Sequence, residues 1–151
     1  MKGIFVAGVL ASVSICALAG DLPPLKPQAS PEQVVSEHLD ALNKCDWSRL
    51  MAQYPPEIQL YVADGTLFEG QKAVGDLFAG FCKTHADGGL RGLTFTTLKS
   101  ATVGGTVNVK WSANADFLTE PYVGADAYVT KDGLMYAQVS TFDSSKLKFK
   151  K

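Results

Sequence analysis

The sequence predicts an α+β domain in which a curved antiparallel sheet wraps on about three N-terminal helices. Two observations carry this. Between residue 31 and about residue 81, apolar side chains recur at helical spacing, broken once by a short hairpin pattern. From Leu93 onward the period drops to two and holds through three or four long segments. The 151 residues are 46% hydrophobic and 19% charged, which supplies one core and excludes a disordered chain. The net charge is −1, the wrong field for generic nucleic-acid binding, and loss of Lys2 makes it more negative still.

Residues 1–19 read as a signal peptide. Lys2 is the positive start, Ile4 to Ile15 the apolar stretch, and Ala17-Leu18-Ala19 a small-x-small cleavage site. The run is short of a full span, so no integral membrane span is expected after cleavage, and the mature chain is expected to be secreted or periplasmic. Cys16 leaves with the leader. Cys45 and Cys82 remain, and an oxidising compartment favours a bridge between them over two separate buried thiols. Closing a loop of about forty residues contributes about 3–4 kcal/mol from chain entropy.

Residues 20–30 are Pro-rich and read as an extended linker. The domain proper, 31–143, opens with Ser30 as a helix cap, Pro31 in the first turn and Gln33 completing a capping box. Along this helix Val35, Leu39, Ala41, Leu42 and Cys45 gather on one face, with His38 near its middle. Asp46 caps a second, short helix carrying Trp47, Leu50, Met51 and Tyr54, and Pro55-Pro56 ends it. Ile58 to Val62 and Thr66 to Phe68 read as two short strands around Asp64-Gly65. A third helix starts near Gly70 with Val74, Leu77, Phe78 and Phe81 as its stripe, followed by a loop from His85 to Gly92.

The strands then follow. Leu93 to Val103 leads into Gly104-Gly105, a hairpin signal. Val107 to Phe117 alternates strictly, with Trp111 and Phe117 on the apolar side and Asp116 on the polar side. Pro121 to Thr130, the turn Lys131-Asp132-Gly133, and Leu134 to Phe142 complete the domain. Residues 144–151 form a basic tail with interleaved apolar residues, expected to be a solvated terminus.

The Asn43-Lys44-Cys45-Asp46 turn closes the first helix. The run Leu60-Tyr61-Val62-Ala63-Asp64-Gly65-Thr66-Leu67-Phe68-Glu69-Gly70 leads into another helix, and long meandering strands follow. This order resembles the nuclear transport factor 2-like superfamily, in its SnoaL-like and ketosteroid-isomerase-like branch. The resemblance covers residues 31–143 and implies a cone-shaped fold with a pocket between sheet and helices. It also implies a homodimer formed through the sheet. Carried over from steroid isomerases, His38 falls at the oxyanion-stabilising tyrosine and Glu69 near the general-base aspartate. Val123 falls at the protonated aspartate and has no proton to donate, so that mechanism lacks a part.

His38 is a candidate acid, base or donor because imidazole titrates near neutral pH; the alternative is a core histidine satisfied by a neighbour. Asp126 shares a strand face with Tyr122, Gly124, Tyr128 and Thr130. If that face points inward, Asp126 is a pocket carboxylate with Tyr122 and Tyr128 beside it; if the Val123, Ala125, Ala127 and Val129 face does, it is solvated. Glu69 is a third candidate. Tyr61, Trp47 and Phe78 are candidate ligand contacts, with Phe81, Phe95 and Trp111 as further aromatic wall or plain core. There is no metal-ligand spacing, phosphate loop or nucleophile motif, and no cofactor is expected. The reading the sequence favours is a small, largely apolar ligand held in an internal pocket. The alternatives are a cofactor-free isomerase, cyclase or dehydratase using His38 with a carboxylate, and a non-catalytic dimerisation module.

Overall fold

The computed structural model describes residues 22–150; the expected leader, 1–19, lies outside the described residues. Helix α1 (Pro31–Asn43) starts where Ser30 Oγ accepts from the Gln33 backbone N–H, and α2 (Trp47–Met51) starts where Asp46 does the same for Arg49. A short antiparallel pair, β1 (Gln59–Tyr61) and β2 (Leu67–Glu69), leads into α3 (Gly70–Phe81). Four long strands follow: β3 (Thr94–Val103), β4 (Thr106–Asn114), β5 (Tyr122–Lys131) and β6 (Leu134–Ser140).

All six strands form one sheet in the order β2-β1-β6-β5-β4-β3. The sheet is mixed rather than purely antiparallel, because β1 returns to lie parallel to β6. This pairing joins the small hairpin to the long strands. Two bulges bend the long strands, one at Leu98 in β3 and one at Tyr136 in β6, opposite Val129 and Thr130 of β5. The concave face so produced receives α1 and α3.

Specific contacts fix the helices to that face. Asn43, at the end of α1, donates from Nδ2 to the Phe95 carbonyl (2.9 Å) and accepts at Oδ1 from the Phe95 N–H (2.7 Å), which fastens α1 to β3. Arg49 of α2 makes a two-pronged pair with Glu37 of α1 (2.7 and 2.6 Å). Cys45 and Cys82 are joined, their Cα atoms 5.5 Å apart, so the C-terminal ends of α1 and α3 are held side by side. Trp47 Nε1 donates to the Gly75 carbonyl (3.1 Å), and a side chain at Gly75 would press on Met51 Sδ, so α2 and α3 meet at small-residue distance.

The termini differ from their expected behaviour. The 22–30 segment forms neither helix nor strand and is tied down where Lys26 N–H donates to the Ala52 carbonyl and Gln28 N–H to the Gly133 carbonyl. The tail is pinned rather than solvated. Leu147 is buried, Phe149 pairs with Leu118, and Lys150 N–H donates to the Phe117 carbonyl (2.9 Å). Interleaved apolar residues do this: the lysines stay in water while Leu147 is buried and Phe149, still partly in solvent, stacks on His85 and Phe117. No helix of the described residues is long and apolar enough to cross a membrane.

Candidate ligand-binding site

The inward face of β5 is the tyrosine face. Asp126, Tyr128 and Thr130 are buried while Val123, Ala125 and Val129 are exposed. The register then determines which side chains meet. Asp126 lies opposite Ser140 and Tyr128 opposite Gln138, so all four share one patch of the concave surface. Asp126 Oδ2 accepts from Gln138 Nε2 (3.1 Å) and from the Tyr128 hydroxyl (3.3 Å), and Oδ1 accepts from the Thr141 backbone N–H (3.0 Å).

A cavity of about 790 Å³ opens over this patch. Phe78, Phe81, Phe95 and Phe142 form much of its apolar wall, and Asp126, Tyr128, Gln138 and Ser140 its polar floor. Phe81, Phe95 and Phe142 pack on one another with ring centroids 5.7 to 6.2 Å apart. The mouth lies among the β1–β2 turn, the loop after α3 and the start of the C-terminal segment, where His85 stacks on Phe149 at 4.8 Å.

Asp126 is only 7% exposed. Its burial raises its pKa, opposed by the nearby Trp111 indole, the Thr141 N–H and the Ser140 and Gln138 side chains. The indole nitrogen approaches the carboxylate without hydrogen-bond geometry and is left unpaired among the described residues.

His38 is fully buried, and it does not line the cavity. It sits behind the wall, its ring 5.7 Å from that of Phe78 and 5.5 Å from that of Tyr128. Its Nδ1 shares a 2.8 Å hydrogen bond with the Tyr54 hydroxyl, and its Nε2 has no partner among the described residues. Burial lowers the imidazole pKa to about 3, so it is neutral near pH 7 and holds Tyr54 rather than carrying protons.

The remaining candidates separate. Phe78 and Tyr128 line the cavity with Asp126. Glu69 is exposed at the edge of the hairpin, where it accepts from Gln59 Nε2 (3.2 Å), and Tyr61 is 43% exposed on the sheet's other side. Both are displaced by β1 joining the sheet through β6, which turns the odd residues of β1 outward. Trp47 is spent on the α2–α3 contact. Tyr122 points inward but packs on Trp111 and Phe142 and donates to the Thr141 carbonyl (3.2 Å), away from the cavity. Gln138, Ser140 and Phe142 went unrecognised in the sequence. Their signal was the alternation of β6 continued past its end, read against the partner strand.

Residues 35–138 match a family model described as the SnoaL-like domain. No curated protein matches the chain. Solved structures do. A nuclear transport factor 2-like protein of unknown function from Cytophaga hutchinsonii is 14% identical, with 80% of this chain and 96% of that one covered and a TM-score of 0.62. A protein with a ketosteroid isomerase-like fold from Catenulispora acidiphila, in complex with trimethylamine, is 15% identical over 78% and 90% of the chains, with a TM-score of 0.58. A computationally designed 17-OHP binder is 15% identical over 82% and 98%, with a TM-score of 0.64. At these identities the likeness shows the fold.

Proposed function

The chain belongs to the SnoaL-like domain family, and on that premise we propose that it binds a small, largely apolar molecule between its sheet and helices, with Asp126, Tyr128 and Gln138 as the polar end of the site. The observation that carries this is the cavity of about 790 Å³ itself, whose volume suits a small molecule and whose wall is largely apolar, with one buried carboxylate, Asp126, at its floor. Relatives of the same fold described as a 17-OHP binder and as a trimethylamine complex support it.

Proton transfer on a bound carbonyl or enol is the enzymatic alternative, and in this cavity it falls to Asp126. His38 is behind the wall and neutral, and Glu69 lies outside. The raised Asp126 pKa favours such a role. Export fits as well: removal of residues 1–19 would place the protein in an oxidising compartment, where the Cys45–Cys82 bridge is stable. A homodimer through the outer sheet face completes the proposal. Val123, Val129 and Val139 are 50%, 40% and 49% exposed there, with Ala125 among them.

A ligand-observed NMR screen of small fragments tests the binding role. Compounds binding the wild type should lose their signal against a Leu77→Trp variant, whose indole fills the cavity. Equal binding to both proteins, or none to the wild type, would remove the cavity from consideration.

A further inference from the structure

Asp126 is a buried carboxylate without a counter-charge. Its hydrogen bonds come from neutral groups, and none of the ion pairs among the described residues includes it. Acidic residues outnumber basic ones in the lining of the cavity it faces. Asp64, Asp76, Asp87 and Asp143 line it too, against a single lysine, Lys83, which belongs with His85 to the loop at the mouth. Aromatic rings form part of the apolar wall, with Tyr128 beside the carboxylate and Phe81, Phe95 and Phe142 clustered on one side. A carboxylate removed from water is costly unless a positive charge meets it, and ring faces attract cations that have shed their water.

We propose that the ligand is an organic ammonium cation, its charged nitrogen seated between Asp126 and the aromatic wall and its apolar part filling the cavity. This rests on the binding role proposed above and narrows it. The two features act together. The aromatic surface takes the apolar skeleton, and the carboxylate selects against an uncharged molecule of the same shape. Asp64 and Asp87, which form no ion pair among the described residues, add a field that draws cations in, whereas Asp76 and Asp143 are paired with Lys72 and Lys146. An anionic ligand is disfavoured by the same arrangement, since the buried Asp126 at the floor is in no ion pair among the described residues.

The test pairs benzyltrimethylammonium with neopentylbenzene, its uncharged isostere, each titrated into the protein at pH 7.5 and followed by chemical shifts of the cavity residues. The cation should bind at least tenfold more tightly and move the Gln138 side-chain amide signal. In Asp126→Asn the preference should fall to near unity while the isostere binds as before. Equal or tighter binding of the isostere to the wild type would overturn the cation proposal and leave the cavity reading standing. So would a preference unchanged in Asp126→Asn. Failure of both probes up to millimolar concentration would overturn both. The wild-type comparison stands by itself should the variant fold poorly.

Discussion

Burial acts on His38 and Asp126 in opposite directions, and the two should leave opposite marks on stability against pH. The folded imidazole resists protonation down to about 3, whereas an unfolded histidine takes its proton near 6.5. Protons therefore favour the unfolded chain across that window, and stability is lost as pH falls from 6.5 toward 3. His38→Gln should flatten this acid limb. Urea midpoints between pH 7 and 3.5 would show it, and an equally steep fall in the variant would contradict it. Asp126 runs the other way. Its folded pKa lies above the ordinary value, so the folded state holds that proton more tightly and loses stability as pH rises through the raised value. Asp126→Asn should accordingly gain stability relative to wild type as pH rises from 4 to 7, while losing ligand. A thermal-unfolding series over that range checks the trend, and a constant difference would count against it.

At the scale of the element, the β4–β5 pair holds the site's rear wall through one small residue. Gly124 lies opposite Trp111, and a Cβ there would enter the space of the indole ring. Gly124→Ala should cost about 1–3 kcal/mol by overpacking, read from denaturant unfolding. A neutral substitution would mean the indole has room to move. The Cys45–Cys82 bridge closes 37 residues of separation and fastens α1 to α3. Its removal by Cys45→Ser with Cys82→Ala should cost about 3–4 kcal/mol, with reductant lowering the wild-type Tm and leaving that of the variant unchanged.

These strands also show how far the sequence could be read. Alternation and turn residues were enough to place β3 through β6, because a half-buried strand repeats every two residues. The site needed more. Counting back from the Asp132–Gly133 turn, where Lys131 faces Leu134, puts Ala137 opposite Tyr128. The bulge at Tyr136 in β6 shifts that register by one and brings in Gln138 instead. Nothing in the local sequence marks this bulge. Tyr61 and Glu69, candidates from the sequence, fall outside the cavity for a related reason, since the parallel β1–β6 pairing is a long-range contact without a local signature.

The whole molecule is a cone with two unlike faces. Inside, helices and sheet leave a cavity with one buried carboxylate; outside, β5 and β6 expose a valine and alanine stripe. A second copy covering that stripe would bury it, and Val139→Lys should then convert a dimer to a monomer in sedimentation at micromolar concentration. An unchanged sedimentation coefficient would place the interface elsewhere or remove it. The central claim concerns the inside. Native mass spectrometry of the protein purified from its own producing cells tests it most directly, alongside the Leu77→Trp variant prepared identically. The account predicts a retained small molecule on the wild type and bare mass for the variant. A wild type that carries nothing, or an adduct that persists when the cavity is filled, would contradict it.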